Sequence, residues 1–183
     1  KTLDVAANGA SQGIHLNISG VGRLQMYADG NRNYFKGLSG NGHRFTTTGG
    51  ANVEILNNGN VGIGTTAPAA QLQVKQLGIN VNQSSVASTN QYTCDSMSAT
   101  IFRSARYTIQ ITNTTDSTYH LTEMLLIHDG TTPSINEFGT IFTGSAAEAV
   151  FTADINSGNV RILATPASSD AMAFKVVRHS ITV

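Results

Sequence analysis

The distribution of glycine is the feature that most constrains how this chain can fold. Of its 18 glycines, 14 lie at or before Gly78, and none lies between Ile79 and Asp129. Frequent glycine divides a chain into short segments joined by tight turns, whereas a long glycine-free stretch allows longer elements. We therefore predict a first region at 1–78, a polar and weakly periodic connector at 79–91, and a second region at 92–183.

The first region has the composition of short β-strands separated by turns. Clusters of Gly and Asn recur every few residues, with short apolar runs between them. Gly, Asn, Thr and Ser oppose helix, and a strand of about five residues buries too little apolar surface to be stable alone. Such strands need partners, from a stack of repeats or from other chains. We predict an intertwined shaft, with strands at Ile14–Ile18, Arg23–Tyr27 and Val53–Leu56.

The sequence pattern of the second region predicts an antiparallel, jelly-roll-like β-sandwich. Tyr107, Ile109 and Ile111 alternate with polar residues, which is the pattern of a half-buried strand. About seven strands at spacings of 8–12 residues are typical of a sandwich. We also predict a β-bulge at Val177, where the apolar alternation of the last strand changes phase. The predicted strands are Met97–Phe102, Arg106–Thr114, Leu121–Ile127, Ile135–Phe142, Ala149–Ile155, Val160–Ala164 and Ala171–Val183.

Composition excludes several kinds of partner. Only 12% of the residues are charged and 11 basic residues balance 11 acidic ones, so the positive excess that binds nucleic acid is missing. No apolar run approaches the roughly 18 residues of a membrane helix. We expect Cys94, the single cysteine, to be a buried apolar residue. Because the chain starts at Lys1 without Met, we also expect it to be part of a longer protein.

The segment Asn57–Val74 carries most of the functional information. It reads NNGNVGIGTTAPAAQLQV. Asn58 and Gly59 predict a tight turn, after which glycines alternate with Val61 and Ile63 in a short strand. Glycine in a strand is typical of a place that another backbone approaches, and a crowded three-fold axis between chains would require this spacing.

This segment resembles the GNVGIGTxxP repeat of the shafts of phage tail fibres and of related trimeric viral and bacterial fibre proteins. The second region looks like a β-sandwich module of virion structural proteins of tailed phages. Unlike many fibres with this motif, the chain shows no helical C-terminal chaperone domain with a Ser-Asp self-cleavage site; either that domain was removed on maturation or the sandwich replaces it. The residues that match the shaft repeat are Gly59, Asn60, Val61, Gly62, Ile63, Gly64, Thr65 and Pro68.

The resemblance implies a homotrimeric tail fibre that is part of the virion and extracellular when mature. Other phage tail or baseplate proteins, and a host-surface glycan or outer-membrane component, are the implied partners. Receptor contacts would come from loops at one end of the sandwich. The candidate receptor-binding residues are Asp116, Tyr119, Asp129, Asn136 and Asp170.

A nucleotide site is formally possible, because Gly62–Ala67 matches the GxGxxA fingerprint of dinucleotide-binding folds. That fingerprint requires a helix directly after the glycines and an acidic ribose ligand about 20 residues on. Pro68 opposes the helix, and no acidic residue stands at the required distance. We therefore expect no cofactor and assign the glycines a structural role.

A metal site is the second chemical alternative. His120 and Glu123 would point to opposite sides of a strand, so the cluster has poor geometry for one ion. We expect surface and turn roles and no metal site. The clustered residues are His120, Glu123, His128 and Asp129.

Glycan hydrolysis is the enzymatic alternative, and it requires a pair of carboxylates. The chain has 11 acidic residues and no Trp, and no carboxylate pair lies beside an aromatic platform. Four aspartates, at positions 116, 129, 154 and 170, fall at predicted turns, where they would cap backbone N–H groups. We therefore favour a non-enzymatic adhesive fibre over a purely structural capsid or neck fibre, and both over a glycan-depolymerising tailspike.

Overall fold

The computed structural model describes residues 3–8, 11–18, 21–29, 32–37, 42–46 and 52–183, and its fold is all-β, as predicted. These ranges contain no helix that could cross a membrane. The strands are β1 (Leu3–Asn8), β2 (Ser11–Ile18), β3 (Val21–Asp29), β4 (Arg32–Gly37), β5 (His43–Thr46), β6 (Asn52–Ile55), β7 (Val61–Ile63), β8 (Leu72–Val74), β9 (Leu77–Val86), β10 (Tyr92–Ser98), β11 (Phe102–Asn113), β12 (Thr118–His128), β13 (Pro133–Phe142), β14 (Ala149–Asn156), β15 (Asn159–Pro166) and β16 (Met172–Thr182).

The described strands form three sheets. Strands β1 to β4 make an antiparallel sheet in chain order, and β10-β15-β14 make a second sheet. The third sheet has nine strands in the order β13-β12-β11-β16-β9-β8-β7-β6-β5. Within it, β7 and β8 pair in parallel, and the other neighbours are antiparallel.

The three-stranded sheet packs against five strands of the nine-stranded sheet, β13-β12-β11-β16-β9. Together they form a sandwich around one apolar core. Tyr107, Ile109 and Ile111 of β11 are fully buried in it, so the predicted alternation is confirmed. Val160 and Ile162 of β15 belong to the same core from the opposite sheet. Side chains on one side of each strand therefore meet across the sandwich, as a period of two residues requires.

The bulge predicted at Val177 is wrong. Strand β16 stays in register with both β11 and β9 through this residue. Its inward side continues from Val176 to a buried arginine, Arg178, while Ile181 lies on the outward side and is exposed. The apparent change of phase arises because the outward side of the strand also carries apolar residues.

Two predicted boundaries, one in the second region and one in the connector, differ from the structure. Residues Ala99–Ile101 form a turn, which carries the chain from β10 in one sheet to β11 in the other, so Met97–Phe102 is not one strand. Residues 79–86 of the predicted connector belong to β9, which pairs along its length with β16. Its polar residues suit a strand because side chains such as Asn82 bond to neighbouring backbone, here to Cys94 O at 2.8 Å.

Strand β9 links the sandwich to the strands of the glycine-rich segment. It pairs with β16 on one side and with β8 on the other, at Leu77 to Ile79. The predicted change of structure near residue 78 therefore falls inside a strand. One hydrogen-bonded sheet runs from β5 through the motif strands into the sandwich.

Candidate functional site

The glycine motif begins with a tight turn. Gly59 has a φ of +86°, a left-handed conformation that favours glycine. Gly59 N donates to Leu56 O at 2.9 Å, and Leu56 N donates to Asn60 O at 2.8 Å. Asn60 N donates to Asn58 Oδ1 at 3.0 Å, and the Asn60 side chain donates to Pro68 O at 3.0 Å. Asn60 thus ties the turn to the far end of the motif.

The glycines in and directly after motif strand β7 are required by the chain itself. A Cβ atom on Gly62 would lie 2.6 Å from Thr65 O and 3.3 Å from Pro68 Cδ. Gly64 has a φ of +73°, where other residues are strained. A backbone does approach Gly62, as predicted, but it is the backbone of the same chain. A three-fold axis is therefore not needed to explain the spacing.

The connection between the parallel strands β7 and β8 folds back over the glycine side. It contains only eight residues, 64–71, whereas parallel strands usually need about a dozen. Ala69 N donates to Gln73 Oε1 at 2.8 Å, and Gln73 Nε2 donates to Lys75 O at 2.8 Å. Pro68 and Ala70 of this loop are buried. One side of the motif strands is therefore closed by the motif's own residues.

The opposite side of the motif strands is open. Ile63 and its directly paired neighbour Val74 are both exposed, and Val61 is half-buried. Successive residues of a strand point to opposite sides. The alternation of glycine with Val61 and Ile63 therefore produces a strand with one loop-covered side and one open apolar side.

The loops of the sandwich lie at two opposite ends of its strands. At the end that we call the loop end lie the turns with Asp116 and Asp170 and the segment 143–148. At the other end, the motif end, β8 joins β9 beside Ile181, and the turn with Asp129 lies there too. The structure thus brings Asp116 and Asp170 together and places Asp129 apart from them.

Asn113 organises the loop end. Its Nδ2 donates to Glu148 Oε2 and to Asp170 Oδ2, both at 3.2 Å. Its Oδ1 accepts a hydrogen bond from Asp116 N at 3.1 Å. Hydrogen bonds from Ser168 and Asn113 lower the pKa of Asp170. The turn is therefore held in place, and the carboxylate of Asp116 is exposed on it.

Tyr119 and Asn136 lie on the outward side of the nine-stranded sheet. Tyr119 is exposed near the loop end and borders an apolar groove of about 320 Å³ between β12 and β13. Asn136 is exposed on β13, directly opposite Leu125 of β12. Of the two, only Tyr119 is close in the fold to the loop-end aspartates.

Asp129 caps its own turn, as predicted. Its carboxylate accepts hydrogen bonds from the backbone of Thr132 and Thr131, each at 2.7 Å, and these lower its pKa to about 2. Asp154, in contrast, was expected at a turn but lies in β14. There it forms an ion pair with Arg161, whose Nε donates to Asp154 Oδ1 at 2.7 Å.

The clustered His and acidic residues do not converge. His120 is buried on the inward side of β12 next to the rings of Phe142 and Phe151, and neither of its ring nitrogens has a hydrogen-bond partner. Burial lowers its pKa. Glu123 lies on the outward side and pairs with Arg106 at 2.6 Å. Within the ranges that the structure describes, no three metal-ligating side chains come together.

Sequence reasoning missed a buried ion pair between Asp95 and Arg178. It connects β10 and β16 across the sandwich, and both side chains are almost fully buried. Arg178 Nη1 also donates to Ser96 O at 2.7 Å. Burial raises the pKa of Asp95, and the charge of Arg178 opposes that rise. The only signal in the sequence is that Arg178 alternates with the inward residues of its strand. Its partner is 83 residues away, so the sequence does not show the pair.

Neither a protein-family model nor a curated protein sequence matches the chain. Among solved structures, it is similar to the tailspike protein of Acinetobacter phage vB_ApiP_P1, with a TM-score of 0.34 and 24% identity over 58% of this chain and 22% of that one. It is also similar to the tailspike protein of Acinetobacter baumannii phage AM24, with a TM-score of 0.37 and 7% identity over 58% of this chain and 26% of that one. The chain therefore spans about a quarter of the length of these two tailspikes.

Proposed function

We propose that the chain is part of a bacteriophage tail fibre, that it assembles as a homotrimer, and that it attaches the virion to a host surface. One observation carries this proposal. The strands that match the fibre-shaft repeat join one end of the sandwich, and the polar turns with Asp116 and Asp170 lie at the other. A shaft at one end and loops at the other is the arrangement that an adhesive fibre needs.

Attachment would use the loop end. Asn113 fixes the turn that carries Asp116, so a ligand would meet a carboxylate that is already positioned. The ring of Tyr119 offers an apolar surface beside it, suited to the C–H face of a sugar. Each contact is weak, and three copies on one fibre would multiply them through high effective concentration. The ligand class is a host-surface glycan or an outer-membrane component.

We also propose that the chain binds without catalysis. Hydrolysis of a glycosidic bond needs two carboxyl groups that both face the substrate. Four acidic side chains of the described residues are instead held by arginines, as Arg44–Glu54, Asp95–Arg178, Arg106–Glu123 and Asp154–Arg161. Glu148 is buried and accepts hydrogen bonds from Asn113 and Thr118. These contacts favour structural roles for the carboxylates.

Binding of fluorescently labelled protein to a panel of bacterial strains with different capsules tests the proposal. We expect binding to at least one strain, with at least a tenfold reduction for Asp116→Ala or Tyr119→Ala. Asp129→Ala is the matched control, because Asp129 is also an exposed turn aspartate but lies at the motif end. Binding to no strain would favour a purely structural capsid or neck fibre, and release of capsular oligosaccharide would indicate a depolymerase.

A further inference from the structure

The registers of the nine-stranded sheet align six of its exposed apolar residues in one row. Residues directly opposite each other on paired strands share a side of the sheet. The row crosses the strands β6-β7-β8-β9-β16-β11-β12, and each of its members lies directly opposite the next. Ser104 of β11 is the one polar member and lies between the last two apolar ones. All six apolar members are between 37 and 57% exposed. They are Val53, Ile63, Val74, Leu77, Ile181 and Ile127.

A second row runs beside the first on the same side of the sheet. On each strand, its member lies two residues away from the member of the first row. It is less exposed, and His179 and Arg106 lie between its last two apolar members. Its apolar members are Ile55, Val61, Leu72, Ile79 and Leu125. We call the two rows together the apolar stripe. The stripe includes Val61 and Ile63 of the glycine motif and continues into the sandwich as far as β12, with polar residues only at Ser104, His179 and Arg106.

The other side of these strands is already closed. Gly62 and Gln73 are buried beneath the motif loop, and Gly78 and Ser180 are buried against Ala70 and the sandwich. A Cβ on Gly78 would lie 2.8 Å from Ser180 Oγ and 3.0 Å from Ala70 Cβ. The described residues therefore cover one side of the sheet and leave the apolar side accessible.

The apolar stripe has the size of a functional surface patch. Its seven strands at about 4.8 Å span about 29 Å from the first to the last, and its two rows of side chains make it about 14 Å deep. The product is about 400 Å² per copy, about half of the roughly 800 Å² that each partner contributes to a standard interface. Monomeric proteins rarely expose an apolar patch of this size without a function. A groove of about 480 Å³, lined by Leu77, Leu125, Ile127 and Ile181, opens on this surface.

The charges on this side favour an identical copy as the partner. Arg106 is paired with Glu123 within the chain, so the pair offers little attraction to a strongly charged partner. The whole chain has a formal net charge of zero, and copies of it do not repel one another over a distance. An apolar, nearly neutral surface is complementary to itself.

We propose that the apolar stripe is the surface on which copies of this chain pack against one another. This inference rests on the homotrimer of the proposed function and adds its location. The motif then has a defined role: its glycines let the loop close one side of the strand, and Val61 and Ile63 present the other side to the neighbouring copies.

Thiol accessibility tests this assignment in the full chain. The native Cys94 is buried, and burial raises its pKa to about 12, so it gives little background with a maleimide. We place a cysteine in the stripe with Ile127→Cys, and on the outer side of the other sheet with Val150→Cys. Both positions are exposed strand residues in the single chain, at 57% and 64%.

We expect the cysteine at position 127 to react at least tenfold more slowly than the one at position 150 in native protein, and equally fast in denaturant. Leu77→Cys is a second stripe position, and light scattering shows whether each variant remains oligomeric. Equal native rates for the stripe and control positions, or a monomeric wild-type protein, would overturn the inference. If the cysteine at position 127 reacts slowly but the protein binds no cells, only the adhesive function is refuted.

Discussion

The two outer faces of the sandwich present different kinds of residue. The outward residues of the three-stranded sheet include Thr93, Ser96, Thr152 and Thr165, together with the Asp154–Arg161 ion pair. The outward side of the nine-stranded sheet also carries polar residues, such as Gln110 and Lys175, but toward the motif end it carries the apolar stripe. A sheet face in water carries polar residues, and a face that packs carries apolar ones. The difference is the one expected if, in the proposed assembly, only the polar face remains in water.

The largest expected effect comes from adding charge to the stripe. In Ile63→Lys/Leu77→Lys/Ile127→Lys, each substitution removes about 1 kcal/mol of apolar burial from the interface, because these side chains are already about half buried in the single chain. The loss is about 3 kcal/mol per subunit, or about 9 kcal/mol per trimer. We expect sedimentation equilibrium to show at least a thousandfold rise in the dissociation constant with the β-structure retained. These three positions are exposed in the single chain, so the fold of the subunit does not depend on them.

The matched control adds the same charge to the polar face. Val150→Lys/Thr152→Lys/Thr165→Lys alters outward positions of β14 and β15, which pair with each other. We expect its association to equal that of the wild-type protein. If the two triple variants associated equally, the contrast between the faces would have no bearing on assembly.

A second comparison separates an ion pair on the polar face from one in the core. Arg178→Met leaves the buried carboxylate of Asp95 without its partner, which costs about 3–5 kcal/mol. Arg161→Met removes a partner of Asp154 that is in contact with water, and we expect a loss of less than about 1 kcal/mol. Denaturant unfolding measures both. Similar losses would mean that the face with Arg161 is buried in the assembled protein.

Local patterns predicted the strands well, and contacts between distant segments decided the rest. The alternation of Tyr107, Ile109 and Ile111 identified an inward side because neighbouring residues in a strand are enough to define it. At Val177 the same logic failed. Both sides of β16 are apolar there, and the inward Arg178 is stabilised by Asp95 from another strand. A single sequence does not show such a partner.

The motif shows the same limit. Its residues predicted a turn, a strand and close backbone approach, and all three are local properties. The approach of another chain at a three-fold axis stays a prediction. The backbone seen at Gly62 belongs to the short loop of the same chain, which depends on Gln73 and Asn60 bonding across it and could not be foreseen. The apolar stripe was not predicted at all. Its members are scattered along the chain from Val53 to Ile181. They can be identified as one stripe only from the pairing of the strands in the sheet.

The covered side of the motif can be tested with glycine substitutions. In Gly62→Ala the new methyl group would lie 2.6 Å from Thr65 O, so the loop must move, at a cost of about 1–3 kcal/mol. We expect faster amide hydrogen exchange in residues 65–71. Gly59→Ala is the control, because its Cβ meets no atom and only the φ of +86° is unfavourable, at about 1 kcal/mol. Undisturbed exchange in the Gly62 variant would show that the loop does not close this side.

The smallest effect concerns the inner side of β12, where His120 is buried without a partner for either ring nitrogen. Replacing it by leucine removes two unsatisfied polar atoms from an apolar site beside Phe142 and Phe151, and we expect a gain of about 1 kcal/mol at pH 8. His128→Leu is the control. It loses hydrogen bonds to Phe102 O and from Gly130 N, so it should lower stability.

The pH dependence of that gain identifies its cause. Burial lowers the pKa of His120 in the folded chain, whereas in the unfolded chain it keeps its ordinary value near 6.5. Below that value the unfolded chain binds more protons than the folded chain, so the wild-type protein loses stability as the pH falls toward the folded pKa. The His120→Leu variant lacks this loss, and its advantage in denaturant unfolding should be larger at pH 5 than at pH 8. A constant advantage would mean that the pKa of His120 is the same in the folded and unfolded chains, with Glu137 and Glu148 offsetting the effect of burial.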